Sequence, residues 1–219
     1  MRQSSIIDII SPIMVGPSSS HTAGAVRLGL LARNIYSGQP ANVTFKLYNS
    51  YASTGKGHGT DKGILAGFLG LSVDDVRIRN IFDLDIARSI NYSFQYLQDF
   101  NRHPNAVDIV IKGTPNISIS GDSIGAGEVV VNKIDDFSVN LTGKYNTLLL
   151  VYKDIPGMIS SVTSKISVNI ASLNCDRYAK GEDASMCIAL DGEVSDEVIN
   201  ILKNLPSVYI VRYIRKLDS

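Results

Sequence analysis

Beyond Tyr145 short apolar strand-like runs and stretches of helical spacing follow one another quickly, and this succession narrows the possible folds more than any other feature. Residues 147–153 read as a strand, Asp154-Ile155-Pro156-Gly157 turns the chain, and Met158, Ile159, Val162 and Ile166 recur at helical spacing. Residues 170–178 and 184–190 read as two more strands around a turn at Lys180-Gly181-Glu182-Asp183. A helix from Ser195 to about Leu205 places Val198, Ile201, Leu202 and Leu205 on one stripe, and a strand over 208–214 follows. The order βαββαβ in so short a span predicts a ferredoxin-like unit.

The preceding part of the chain has a different texture and is read as a mixed α/β domain, which makes the whole chain α+β. A change at Leu141-Thr142-Gly143-Lys144-Tyr145 places the domains at 1–143 and 146–219. In the first domain, Gly16-Pro17-Ser18-Ser19-Ser20-His21-Thr22-Ala23-Gly24 leads into an amphipathic run to about Tyr36, with Gly24, Leu28, Leu31, Ala32 and Ile35 on one face. Thr22 is the expected helix cap. Hydroxyls, backbone N–H groups and an imidazole would then gather at the positive end of a helix, an arrangement that suits a carboxylate or phosphate. A strand with Val43, Phe45 and Leu47 inward runs into the glycine-rich stretch 49–62, read as a loop that ends where a helix with Ile64, Leu65 and Phe68 starts at Thr60 or Asp61. Lys56, His58, Thr60 and Asp61 lie there, but the P-loop order is absent.

Further on, the spacing predicts a strand around 76–78, a helix over 86–97, a turn at Arg102-His103-Pro104-Asn105 and a strand over 107–112. A short strand at Ile117 and Ile119, a loop over 120–127 and a strand over 128–134 complete this part.

Among 219 residues, 21 Lys and Arg balance 21 Asp and Glu, which gives no electrostatic reason to expect nucleic acid or an anionic membrane. No apolar run approaches a membrane span, and Asp8 interrupts the short apolar N-terminal run, so a cytoplasmic location is expected and a secretory signal is not. Two cysteines, Cys175 and Cys187, are too few for an iron–sulfur cluster or a zinc site, so no metal is expected on this chain. The three histidines, His21, His58 and His103, each stand beside Gly, Pro, Ser or Thr rather than within an apolar stripe, which favours a role in chemistry over one in the core.

Four blocks carry a resemblance to the β subunit of the iron–sulfur-dependent L-serine dehydratases. They are residues 11–24, residues 54–61, His103-Pro104-Asn105, and Ser123-Ile124-Gly125-Ala126-Gly127, where glycine is expected at Ala126. The last unit resembles an ACT domain, the amino-acid-sensing module of metabolic enzymes, through residues 154–159 and Val168-Asn169-Ile170-Ala171. The first domain is also similar to the allosteric substrate-binding domain of some phosphoglycerate dehydrogenases, so fold alone does not separate catalysis from regulation.

The resemblance implies an L-serine ammonia-lyase, active only with its α subunit, which converts L-serine to pyruvate and ammonia. It implies a [4Fe–4S] cluster carried by that iron–sulfur α subunit, and self-association through the ACT domain. For the chemistry, Ser18, Ser19, Ser20 and Thr22 would receive the substrate carboxylate, with Lys56, Thr60, His103 and Asn105 as further substrate contacts. His58 is the expected base, with Asp61 or Thr60 as its orienter and His21 as a second catalytic contact. Asp154, Pro156, Gly157, Met158 and Asn169 are the expected effector-binding residues. Two rivals stand beside this reading: a non-catalytic amino-acid-sensing regulatory subunit, and a stand-alone hydrolase using His21 and the serines. The second would need a nucleophile elbow between a strand and a helix; Gly121-Asp122-Ser123-Ile124-Gly125 carries the GxSxG letters, but it is read as a loop that leads into a strand, with no helix following.

Overall fold

The computed structural model describes residues 19–217, and for residues 19, 20 and 56–58 it describes the backbone. The chain divides into two compact units, one running to Val131 and the other beginning at Asn132. From the N-terminal side the elements are α1 (Ser19–Ile35), β1 (Pro40–Tyr48), α2 (Asn49–His58), α3 (Thr60–Phe68), a 3₁₀ segment (Val76–Asp83), α4 (Asp85–Arg88) and β2 (Tyr92–Leu97). There follow β3 (Ala106–Gly113), β4 (Ile117–Gly125), β5 (Glu128–Ile134) and β6 (Phe137–Leu141). One sheet contains β2-β1-β3-β4-β5-β6 in that order.

β1 and β2 run parallel, so the chain must cross over between them, and α2, α3, the 3₁₀ segment and α4 make that crossover. β1 also pairs antiparallel with β3, and β3 with β4. The registers Val43↔Ile111↔Ile117 and Phe45↔Ile109↔Ile119 put apolar side chains in rows on one face, all of them buried. Phe45 stacks on Phe94 of β2, with ring centroids 5.3 Å apart, and meets Phe68 of α3 edge-on at 5.8 Å. Helix α1 covers the same sheet: a side chain at Gly121 of β4 would stand 2.8 Å from Leu28 Cδ2, so glycine there makes room for the helix.

Several sequence expectations give way. Helix α1 already includes Ser19, so Thr22 lies inside it, buried, and does not cap it. Residues 49–58 are helical, not a loop, while the next helix starts at Thr60 as expected. Residues 76–78 open a 3₁₀ segment capped by Asp75, whose carboxylate accepts the Arg77 N–H at 2.9 Å. The helix expected over 86–97 is one short turn followed by strand β2, because Tyr92–Leu97 pairs residue by residue with β1. The loop expected over 120–127 is mostly strand, and only its end turns. At that turn Ala126 adopts φ 51°, a left-handed conformation that costs a side-chain-bearing residue about 1 kcal/mol or more. Ala126→Gly is therefore expected to stabilise the chain by about 0.5 kcal/mol, after the added chain entropy of glycine is subtracted. Urea unfolding of the two variants checks this.

In the second unit the order is β7 (Asn146–Lys153), α5 (Met158–Thr163), β8 (Ile170–Arg177), β9 (Asp183–Leu190), α6 (Asp196–Lys203) and β10 (Val208–Ile214). Its sheet runs β10-β7-β9-β8, with every neighbouring pair antiparallel. Leu148, Leu150, Met186 and Ile188 meet Met158 and Val162 of α5 and Leu202 of α6 in one core. Ile159 and Ile201, expected inward, are exposed, and Ile199 packs against the core from α6. Ser195 caps α6, its hydroxyl accepting the Val198 N–H at 3.3 Å.

Candidate active site

Strand β1 passes into α2 without a loop, and Asn49 makes the corner with φ 51°. Its side chain explains why asparagine is tolerated there. Asn49 Nδ2 donates to the carbonyls of Asp99 (2.8 Å), Arg102 (3.2 Å) and His103 (3.3 Å), while Oδ1 accepts the Asp99 N–H at 2.9 Å. One side chain thus ties the start of α2 to the turn that carries His103 and Asn105. Asn49→Ala removes these bonds at a left-handed position and is expected to cost about 2–3 kcal/mol, measured as a lowered urea midpoint. The turn is braced again by Arg102, which pairs with Asp108 at 2.8 Å and lies 4.5 Å from the centroid of the Tyr48 ring. Burial, reinforced by the Asp108 carboxylate, pushes the Tyr48 phenol up to about 12, so it remains a donor to Asp108 at 2.8 Å.

His21, on the first turn of α1, points at the start of α2. Its Nε2 lies 3.4 Å from Ser50 Oγ, and its ring centroid is 5.8 Å from that of Tyr51. Tyr51 is fully buried, and burial holds its phenol far above the ordinary range, so it acts as a neutral donor, here to the His21 carbonyl at 3.4 Å. The Tyr51 N–H donates to Pro104 O at 3.3 Å, which brings the His103–Asn105 turn to the same place. Within that turn the Asn105 N–H donates to His103 Nδ1 at 3.1 Å, and His103 is exposed. Asn105 also exchanges bonds with Ser123 of β4: its carbonyl accepts the Ser123 N–H at 3.1 Å, and Nδ2 donates to Ser123 O at 3.5 Å.

The second part of the site is the elbow between α2 and α3. Gly59 (φ 73°) caps α2 through its N–H to Gly55 O and starts α3 at once. Thr22 of α1 lies against it, with Oγ1 3.8 Å from where a Gly59 Cβ would stand. Thr60 is fully buried at the first position of α3, and among the described residues its Oγ1 has no hydrogen-bond partner. Asn105 Oδ1 is in the same condition. Asp61 is buried, its Oδ1 accepting the Lys62 N–H at 2.7 Å and its Oδ2 the Tyr96 hydroxyl at 3.3 Å. Lys56 and His58 occupy the last turn of α2. Ser19 and Ser20 open α1, and Ser18 lies outside the described residues.

In the second unit Asp154, Pro156, Gly157 and Met158 line a cleft of about 800 Å³ at the β7–α5 junction, together with Tyr152, Cys175 and Arg177. Asn169 is not among the lining residues, and its carbonyl accepts the Asp191 N–H at 3.0 Å.

A family model described as the serine dehydratase beta chain matches residues 5–133. The chain belongs to this family. It is 34% identical over 212 residues to the probable L-serine dehydratase, beta chain, of Bacillus subtilis, covering 95% of this chain and 96% of that one. It is 35% identical over 222 residues to the L-serine dehydratase, beta chain, of Peptoniphilus asaccharolyticus, covering 98% and 99%. L-serine dehydratase 2 of Escherichia coli is 37% identical over 105 residues, which are 45% of this chain and 20% of that protein. The family match spans every candidate residue of the first unit, from Ser18 to Asn105.

The chemistry of the thiols bears on the cluster that the resemblance implies. Cys175 and Cys187 sit on paired strands with Asn174 opposite Cys187, so the two thiols point to opposite faces of the sheet. Burial pushes Cys187 up to about 11 and also raises Cys175, whereas a cluster ligand must be a thiolate. Among the described residues, no group of three or more His, Cys, Asp or Glu gathers as a ligand set. The residues of this chain do not fit a [4Fe–4S] cluster. Likewise, no helix among the described residues is long and apolar enough to cross a membrane.

Tyr51, Ser50, Ser123 and Tyr96 are the site neighbours that sequence reasoning did not single out. Tyr51 and Ser50 stand inside the glycine-rich stretch and were within its reach. Ser123 opens one of the four blocks that carry the resemblance, though no site role was given to it, and Tyr96 arrives only through strand pairing.

Proposed function

We propose that this chain is the β subunit of a two-chain L-serine dehydratase and completes an active site shared with an α subunit that carries a [4Fe–4S] cluster. The observation that carries the reading is Thr60: a buried hydroxyl without a partner among the described residues, at the N-terminus of α3. The positive end of the helix dipole at such a position favours a carboxylate, and L-serine brings one. In this reading Thr60, with Ser18, Ser19, Ser20 and Thr22 of the adjoining segment, Lys56, His103 and Asn105, binds the substrate. His58, at the end of α2, takes the α-proton with Asp61 as its orienter, and His21 contacts the substrate from α1. Loss of the β-hydroxyl leaves an aminoacrylate, which tautomerises and hydrolyses to pyruvate and ammonia. The length of the Escherichia coli relative supports the partnership, since the matched residues are 20% of a longer L-serine dehydratase.

The cleft at the β7–α5 junction favours a role for the second unit as an ACT domain with an amino-acid effector at Asp154, Pro156, Gly157, Met158 and the nearby Asn169, and with self-association through it. A chain that only senses amino acids is the rival reading. Hydrogen exchange on the assembled enzyme separates the two. Serine-dependent protection of 19–22 and 59–62 is expected, whereas protection confined to 154–158 would support sensing alone.

A further inference from the structure

Tyr96 of β2 touches both arms of the elbow between α2 and α3. On one arm, a Cβ at Gly55 would stand 3.1 Å from Tyr96 Cε1, so the ring lies directly against the helix backbone. Gly55 is also the residue whose carbonyl accepts the Gly59 N–H that ends α2. On the other arm, the Tyr96 hydroxyl donates to Asp61 Oδ2 at 3.3 Å, and Asp61 is 5% exposed. Asp61 has no competing cation from its neighbour, because Lys62 Nζ donates to Arg79 O at 2.6 Å and lies 6.0 Å from the Phe82 ring centroid. β2 holds Tyr96 in place by pairing it with Leu47 of β1.

We propose that Tyr96 is a positioning residue for the dehydratase reaction, fixing the Asp61 carboxylate and the Gly55–Gly59 turn so that His58, at the end of α2, keeps its catalytic position. This inference rests on the catalytic reading given above. Burial, with the Asp61 charge added, pushes the Tyr96 phenol up to about 12, which keeps the donor proton in place throughout the neutral range. Glycine at 55 fits the same requirement, since any side chain there would displace the ring.

The test uses the complete two-chain enzyme with Tyr96→Phe, which keeps the ring and removes the hydroxyl, and Gly55→Ala, which keeps the hydroxyl and displaces the ring. Both are expected to lower kcat about tenfold with KM for L-serine within about twofold, because they disturb the orientation of the base rather than the binding of the carboxylate. Tyr92→Phe, which removes a hydroxyl from the same strand away from the elbow, is expected to keep the wild-type kcat. A wild-type kcat for Tyr96→Phe, or a loss expressed only in KM, would overturn the proposal. If His58→Ala is fully active, the catalytic reading itself fails, and this inference with it; a slow His58→Ala beside a normal Tyr96→Phe defeats the inference alone.

Discussion

His58→Ala in the assembled enzyme is expected to lower kcat for pyruvate formation by about 100-fold or more, with the affinity between the two chains unchanged. Abstraction of an α-proton near neutral pH needs a group that titrates there, and imidazole is the side chain suited to it. The position is favourable for a clean deletion. His58 closes α2, and the left-handed Gly59, not His58, makes the capping bond to Gly55. The backbone bond that ends α2 is therefore independent of the residue type at 58. A size-exclusion profile of the complex beside steady-state kinetics would check both halves of the expectation.

The largest effect on stability is expected at Gly67. Helices α1 and α3 approach so closely that a Cβ at Gly67 would stand 1.9 Å from Val26 O, and one at Gly29 would stand 2.3 Å from Ile64 O. Both obstacles are backbone atoms, which cannot swing away as a flexible side chain would. Gly67→Ala must push the helices apart over a fully buried contact, and about 3 kcal/mol or more of destabilisation is expected. Denaturant unfolding followed by circular dichroism should show a lowered midpoint. Gly70→Ala makes the comparison: no atom lies within 4 Å of a Cβ there, so its loss would come only from the left-handed φ of 86°.

The contrast between Gly67 and Gly55 shows what the sequence could carry. The second unit was legible almost element by element, because its strands are short apolar runs separated by turns and its helices are bounded by Asp154–Gly157 and by Ser195. Strands β1, β3 and β5 were legible as well. The stretch 49–58 was not: serines, threonines and glycines at 55 and 57 argue locally for a loop, and only the sheet, through the Tyr96 ring and the Asn49 clamp, makes it a helix. Residues 86–97 misled in the opposite way, since Ile86, Ile90, Phe94 and Leu97 mimic helical spacing while parallel pairing with β1 decides the outcome. Strand β6 was missed: Phe137, Val139 and Leu141 do alternate with Ser138 and Asn140, but five residues are too few for the pattern to stand out. For the site, the residue types were legible in the sequence: histidines outside apolar stripes, hydroxyls near a helix start. Their grouping was not. The helix start at Thr60 was legible, but that Thr22 lies inside α1 instead of capping it depends on where α1 begins, and that Tyr51 joins His21 to Pro104 depends on the direct passage of β1 into α2.

The decisive measurement is pyruvate release from L-serine under anaerobic conditions by this chain alone, by a reconstituted iron–sulfur α subunit alone, and by the two together. A shared active site predicts turnover in the mixture only, and loss of that turnover when the mixture contains His58→Ala. An α subunit fully active by itself, with this chain altering only the dependence on serine concentration, would contradict the account and leave the chain a regulator.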